Sequence, residues 1–305
     1  MTTDTAAISV RGLRRRYGAG DDAFEAVRGV DLAVPAGTIS ALLGTNGAGK
    51  TSTLEVIEGL HRPSRGSVRV LGLDPVADRR AVRRRTGVLL QQSGFPGDLT
   101  VAETLQMWAG TVTGARPVAE SLVRVRMDHR ADTRVRSLSG GEQRRLDLAC
   151  ALTGDPDVVL LDEPTTGLDP ESRRDVWNLI RGLRGRGATV LLTTHYLEEA
   201  EALADRVDIM HEGRIVRSGT PAEISGDHPS TIRFETPVEA LPDRLPARGV
   251  AADGGHTVIE TDDLQHTLTA LLGWAERHDV RLADLEARTA TLESVFLDIA
   301  EGALR

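Results

Sequence analysis

The sequence is short of several residue types, and each shortage excludes a class of protein. A single cysteine, Cys150, excludes a disulfide framework within the 305-residue chain and favours a reducing compartment. No apolar run is long enough to cross a bilayer, and the first residues lack the pattern of a secretory signal. Basic residues are fewer than acidic ones, and the net charge of −8 argues against a nucleic-acid partner. The hydrophobic content of 40% is typical of a globular protein with a sizeable core.

What the chain does contain is a glycine-rich loop that fits the pattern G-x-x-x-x-G-K-[ST]. A short apolar run at 38–43 precedes the loop, and a helical pattern at 51–60 follows it. In a strand–loop–helix of this kind, backbone N–H groups surround a phosphate chain, the lysine reaches the β- and γ-phosphates, and the threonine hydroxyl ligates Mg²⁺. The residues predicted to bind ATP here are Gly44, Asn46, Gly47, Ala48, Gly49, Lys50, Thr51 and Ser52.

Two further patterns lie downstream. Residues 138–143 read Leu-Ser-Gly-Gly-Glu-Gln, and the apolar run 158–161 ends in Asp162 and Glu163. Such a run is typical of a buried strand that delivers two carboxylates at its end. Another apolar strand pattern, at 189–194, ends in His195.

Together these motifs resemble the ATP-binding cassette (ABC) ATPases, and the resemblance covers residues 7–225. It implies an α/β fold, with a P-loop ABC ATPase domain at 1–225 that has a mainly parallel sheet core, an antiparallel β subdomain and a helical subdomain. From residue 229 to 305 the pattern of strands and helices predicts a small α+β C-terminal domain.

The resemblance also implies roles for individual residues in hydrolysis. Glu163 would be the general base for the attacking water, and His195 would contact the γ-phosphate. Asp162 would hold Mg²⁺ opposite the threonine of the loop. Gln91 would sense both Mg²⁺ and the attacking water, although Gln92 is adjacent and one register away.

Other residues would complete the ATP site. Tyr17 resembles the aromatic residue that stacks on adenine, and Phe24 is the alternative. Ser139, Gly140 and Gly141 would bind the γ-phosphate held by an opposite subunit, and Asp169 would reach across the same interface. The resemblance therefore implies a homodimer that forms on ATP binding, in which one chain cannot complete a site alone.

The sequence around 292–297, Leu-Glu-Ser-Val-Phe-Leu, resembles the ending of drug-resistance ATPases of the daunorubicin/doxorubicin-exporter type. This implies an ATPase subunit that powers export of drugs or other hydrophobic compounds, at the cytoplasmic face of the membrane, through a separate permease. Two alternatives stay open at the level of sequence. One is an importer subunit, and the other is a non-transport ABC ATPase of translation or DNA maintenance.

Overall fold

The computed structural model describes residues 6–18, 20, 23–90, 94–226, 228–235, 241, 245–300 and 302. The chain divides into two units, Met1–Pro221 and Ala222–Arg305. The division lies a few residues before the boundary proposed at residue 225. Among the described residues, no helix has both the length and the apolar character needed to span a bilayer.

The first unit alternates strands and helices. Its strands are β1 (Ala6–Tyr17), β2 (Phe24–Pro35), β3 (Ile39–Gly44), β4 (Arg65–Val70), β5 (Thr86–Leu89), β6 (Val158–Asp162), β7 (Thr189–Thr194), β8 (Arg206–His211) and β9 (Arg214–Gly219). Its helices are α1 (Lys50–Ile57), α2 (Arg79–Arg83), α3 (Val101–Ala109), α4 (Val118–Arg124), α5 (Gly140–Leu152), α6 (Pro170–Gly185), α7 (Leu197–Leu203) and α8 (Pro221–Gly226), the last of which spans the division.

The central sheet has the order β5-β6-β7-β3-β8-β9. Its strands are parallel except for β9, which pairs antiparallel with β8. Every residue of β3, β6 and β7 is buried, which explains why these strands are apolar runs without alternation. Because β6, β7 and β3 are adjacent and parallel, the segments that follow them meet at one edge of the sheet.

The antiparallel subdomain is the sheet β2-β1-β4. Its buried face joins one hydrophobic cluster with helix α1, through residues such as Leu13, Val27, Leu54 and Ile57. This packing fixes α1 between the two sheets. The predicted helical subdomain is also present, since α3, α4 and short 3₁₀ turns lie between β5 and α5.

The second unit contains β10 (Ser230–Glu235), β11 (Gly249–Asp253), β12 (His256–Thr261), α9 (Leu264–His278), β13 (Ala283–Arg288) and α10 (Leu292–Ala300). Its antiparallel sheet has the order β11-β12-β10-β13. Ile232, Phe234 and Ile259 from the sheet pack with Leu271 and Trp274 of α9. The α+β class predicted for this region is therefore correct.

Candidate active site

The phosphate-binding loop joins β3 to α1, and its geometry depends on Gly49. The backbone of Gly49 is left-handed, with φ of 103°. A Cβ at this position would lie 2.4 Å from the carbonyl oxygen of Ala26. Both the backbone conformation and the lack of space therefore exclude a side chain. The next residue, Lys50, is buried, and its Nζ donates hydrogen bonds to the carbonyl oxygens of Gly44 (2.8 Å) and Thr45 (3.2 Å). The loop thus holds a cation where a phosphate chain would bind.

The two carboxylates at the end of β6 face this loop. The Oδ1 atom of Asp162 accepts a hydrogen bond from Thr51 Oγ1 at 3.5 Å, and another from Thr193 on the neighbouring strand β7. The Oε1 atom of Glu163 lies 3.8 Å from Lys50 Nζ. The end of β6 therefore carries two nearly buried carboxylates directly beside the loop.

Glu163 has an unusual backbone conformation for a residue with a side chain. Its φ is 45°, in the left-handed region. Two hydrogen bonds from its N–H hold it there, to the carbonyl oxygen (3.2 Å) and the hydroxyl (3.1 Å) of Thr193. Left-handed non-glycine residues are concentrated at functional sites, where the surrounding structure maintains the strain.

His195 follows β7 and lies beside Glu163. Its Nδ1 atom is 3.1 Å from Glu163 Oε1, and its side chain is partly exposed. The chain direction after the strand is fixed by the Tyr196 N–H, which donates to the Thr194 hydroxyl at 2.9 Å. The structure thus brings together the histidine and the acid that the sequence pairs by resemblance alone.

Electrostatics in this cluster depend on the lysine and the carboxylates. Burial lowers the pKa of Lys50, and the negative charges of Glu163 and Asp162 oppose that shift. The carboxylates therefore favour the ammonium form, which is the form that binds phosphate oxygens.

The loop also opens into a cavity of about 280 Å³ that contains both aromatic candidates for adenine. Tyr17 and Phe24 are opposite each other in the β1–β2 pairing. The Tyr17 hydroxyl bonds to Ser52 (3.0 Å) and Glu55 (3.1 Å), whereas the Phe24 side chain is 58% exposed. The cavity is lined by Tyr17, Phe24, Ala26, Asn46, Gly47, Gly49, Lys50, Thr51, Ser52 and Glu163.

The predicted residues of the opposite half-site lie elsewhere in the chain. Ser139 caps α5, where its hydroxyl accepts from the Glu142 N–H (3.3 Å) and the Glu142 carboxylate accepts from the Ser139 N–H (2.9 Å). Asp169 caps α6, where its carboxylate accepts from the N–H groups of Glu171 and Ser172. Among the described residues lining the loop cavity, none comes from 139–141 or 169. These residues therefore do not line the loop cavity of their own chain.

Gln91 and its alternative Gln92 lie outside the described residues. The residue just before them, Leu90, is exposed and lines a second cavity of about 260 Å³ together with Thr51 and Asp162.

The donor set beside the loop suits magnesium. A hydroxyl and a carboxylate, from Thr51 and Asp162, lie 3.5 Å apart, and both present the hard oxygen atoms that Mg²⁺ prefers. Both residues also line one cavity, so the donor set fits this cation.

Arg144, on α5, is a site residue that the sequence patterns do not reveal. It is buried, and its guanidinium donates to the carbonyl oxygens of Asp162 (2.8 Å), Glu163 (3.0 Å) and Pro164 (2.8 Å), and to Leu90 (2.7 Å). Its only signal in the sequence is its place one helical turn after the Leu-Ser-Gly-Gly motif. Arg144 thus connects the helix of that motif to the backbone that carries both carboxylates.

Comparisons with known proteins agree with this geometry. The family model described as "ABC transporter" matches residues 27–166, and the model of the ABC transporter domain-containing protein-like C-terminal domain matches residues 230–291. A daunorubicin/doxorubicin resistance ATP-binding protein of Streptomyces peucetius is 41% identical and aligns with 97% of this chain and 93% of its own length.

Two further similarities extend the comparison. A Nod factor export ATP-binding protein of Burkholderia orbicola is 37% identical, over 96% of each chain. A bacterial ABC transporter cassette solved as a dimer superposes with a TM-score of 0.62 at 26% identity, over 70% of this chain and 98% of that one. The predicted resemblance to drug-resistance ATPases is confirmed. The chain is an ATPase, and it belongs to the ATP-binding proteins of the ABC transporter family.

Proposed function

We propose that this chain powers a membrane exporter for drugs or similar hydrophobic compounds, from the cytoplasmic face and through a separate permease. The observation that carries the ATPase part is the meeting of Lys50, Asp162, Glu163 and His195 at one edge of the central sheet. The export part is supported by the near full-length similarity to resistance and export ATP-binding proteins, which includes the C-terminal unit.

In the proposed reaction, the ammonium of Lys50 and the loop N–H groups bind the terminal phosphates of ATP. The carboxylate of Glu163 orients the attacking water and takes its proton. His195, 3.1 Å from that carboxylate, contacts the γ-phosphate oxygens and holds Glu163 in position. Thr51, Asp162 and Gln91 would hold Mg²⁺, which when bound neutralises phosphate charge.

A second copy of the chain completes each site. Ser139, Gly140 and Gly141 would supply hydrogen-bond donors at the start of α5 to the γ-phosphate bound by the other chain, and Asp169 would cross the interface. The support is that these residues stay outside the loop cavity of their own chain. A related cassette has been solved as a dimer, which agrees with this assembly.

The permease would bind an apolar groove of about 580 Å³ next to the hydrolytic site, here called the docking groove. It is lined by side chains of β5, α3 and α5, including Leu89, Met107, Trp108 and Cys150. Met107 is 47% and Trp108 38% exposed, which is a large apolar surface to leave in water. Burial raises the pKa of Cys150 to about 12, so this thiol is a packing residue.

The test is a pull-down of the tagged chain from detergent-solubilised native membranes, with partners identified by mass spectrometry. A stoichiometric polytopic permease is the expected result, and a Met107→Glu variant should lose it. Leu272→Glu, which places the same charge on an exposed leucine of α9, is the matched control and should retain the permease. Recovery of ribosomal or DNA-associated partners instead would contradict the proposal.

A further inference from the structure

Glu58 lies at the wall between the docking groove and the hydrolytic site. It follows α1, about two turns after the lysine of the phosphate-binding loop. It lines the docking groove, and it also lines the smaller cavity that contains Thr51 and Asp162. Leu60 and Leu90 are shared by the two cavities as well. One buried acidic residue therefore borders both the apolar groove and the cavity of Thr51 and Asp162.

The Glu58 carboxyl has no counter-charge within the part of the chain that the structure describes. The residue is only 8% exposed, and no described side chain or backbone donor forms a hydrogen bond or ion pair with its carboxyl. Burial, together with the nearby charges of Asp162 and Glu55, raises the pKa of Glu58 to about 8. A buried acid without a cation is costly in free energy, and a cation supplied from outside would remove that cost.

The other charges of the docking groove are arranged differently. Asp147, the second buried acid in its lining, is already paired with Arg144 at 3.6 Å. Arg83 and Arg84 are exposed at the rim, and no described acidic residue lies within ion-pairing distance of either. The groove thus combines an apolar floor, two buried acids of which only Glu58 has no cation beside it among the described residues, and a basic rim.

We propose that Glu58 recognises a lysine or arginine on the apolar face of the segment that docks in this groove. The inference rests on the proposed function for the identity of the partner, a permease, but its chemistry comes from the groove itself. The docking segment is an amphipathic helix whose apolar face carries one cation, and acidic residues at one end face Arg83 and Arg84. Because Glu58 also borders the cavity of Thr51 and Asp162, docking places a charge pair next to the hydrolytic site.

The test measures binding of short fluorescein-labelled helical peptides to the full-length protein by fluorescence anisotropy, at a pH near 8. One peptide has a leucine- and phenylalanine-rich face with a single central lysine, and glutamates at one end. The other carries norleucine in place of that lysine, so the two differ in one charge. We expect the lysine peptide to bind wild-type protein roughly tenfold more tightly or better, as for a desolvated charge pair.

Variants of the protein then locate the effect. Glu58→Gln should bind both peptides equally, and Glu58→Lys should prefer a peptide with a central glutamate. Glu120→Gln removes one negative charge from an exposed side chain of α4 and should keep the wild-type preference. Thermal unfolding of each variant verifies its fold, and the Gln variant keeps the shape of the native side chain.

Three results would overturn the inference: equal binding of both peptides to wild-type protein, no binding of either, or a lysine preference that survives Glu58→Gln. Its failure is separable from failure of the proposed function, because the peptide assay needs no permease. A pull-down without a permease would leave the charge recognition standing, and a permease recovered equally by Glu58→Gln would leave the export proposal standing.

Discussion

At the scale of single residues, the site depends on one strained position. Glu163 has a left-handed backbone, and its side chain lies between the ammonium of Lys50 and the ring of His195. We predict that Glu163→Gln abolishes turnover while ATP binding persists, because the amide keeps the shape but cannot take a proton. A general base contributes about 10²–10⁴-fold, so hydrolysis should fall by at least that range. Phosphate release and nucleotide binding measured on the same sample test this prediction.

Glu198→Gln is the control for the loss of charge alone. Glu198 lies in the first turn of α7, close to His195 in sequence, but its side chain is 80% exposed. The Glu198→Gln variant should hydrolyse ATP at the wild-type rate. Undiminished hydrolysis in Glu163→Gln would show that the base is another group.

The raised pKa of Glu58 predicts a pH dependence of stability. Burial raises the pKa of Glu58 to about 8 in the folded state, above the ordinary 4.5 of a glutamate in an unfolded chain, so the folded state binds the proton more tightly. The protonated carboxyl therefore contributes to the free energy of unfolding in full below pH 4.5, and this contribution is lost as the pH rises toward 8. The Glu58→Gln variant cannot ionise at this position. At about 1.4 kcal/mol per pKa unit, its free energy of unfolding relative to that of wild type should rise by roughly 2–4 kcal/mol from pH 5 to pH 8.

Thermal unfolding without nucleotide at both pH values measures this difference. The unfolding midpoints of wild type and Glu58→Gln should be close at pH 5 and separate at pH 8. Glu120→Gln should follow wild type at both. A separation that does not change with pH would mean that the Glu58 carboxyl is not held neutral by its surroundings.

At the scale of elements, Arg144 joins three parts of the fold. From α5 it donates to the carbonyl oxygens that follow β6, and to Leu90 just after β5. We predict that Arg144→Lys lowers the free energy of unfolding by about 2–4 kcal/mol, because one ammonium cannot replace the guanidinium fork and leaves buried carbonyls unpaired. The same variant should lower kcat strongly and change the KM for ATP less, because the backbone of Glu163 loses the hydrogen bond that supports it.

Arg145→Lys is the neighbouring control. Its guanidinium lies 3.7 Å from one carboxylate, that of Asp175, which a lysine can replace. Denaturant unfolding and steady-state ATPase kinetics of the two variants should separate them clearly. Equal behaviour would mean that the carbonyl contacts of Arg144 contribute little.

Elements with a strong local pattern could be predicted from the sequence, and the others could not. Fully buried strands such as β6 and β7 are apolar runs, and the Thr100–Glu103 capping box that starts α3 is visible as a short motif. Strand β11 gives no such pattern, because all its residues are exposed and so carry no alternation between two environments. The start of β13 is equally hard to predict, because Val280 is apolar like a strand residue but the strand begins only at Ala283.

The candidate site shows the same limit. Motifs identify Lys50, Asp162, Glu163 and His195, because their chemistry requires fixed residue types at fixed spacing. Arg144 acts through contacts with main-chain carbonyl oxygens, which leave no mark on the sequence of the segment they hold. The position of Glu58 between two cavities depends on packing among distant segments, so no local pattern could indicate it.

At the scale of the whole molecule, the division of the site between two chains can be tested by mixing two inactive variants. Lys50→Ala removes the cation proposed to bind phosphate, and Gly140→Asp places a negative charge where the opposite γ-phosphate would lie. The only group that a Cβ at Gly140 would meet is Leu168 Cδ2 at 3.9 Å, among the described residues, so this variant should fold.

Each variant alone should be inactive, because both sites of its dimer carry a defect. In a mixed dimer, one site combines the intact loop of the Gly140→Asp chain with the intact Ser139–Gly141 segment of the Lys50→Ala chain. If chains assort at random and sites act independently, an equal mixture should recover about a quarter of wild-type ATPase activity. Hydrolysis within a single chain would give no recovery at any ratio, because neither chain carries both intact parts. Activity plotted against mixing ratio therefore distinguishes a shared site from a self-contained one, and a maximum near equal amounts is the result we expect.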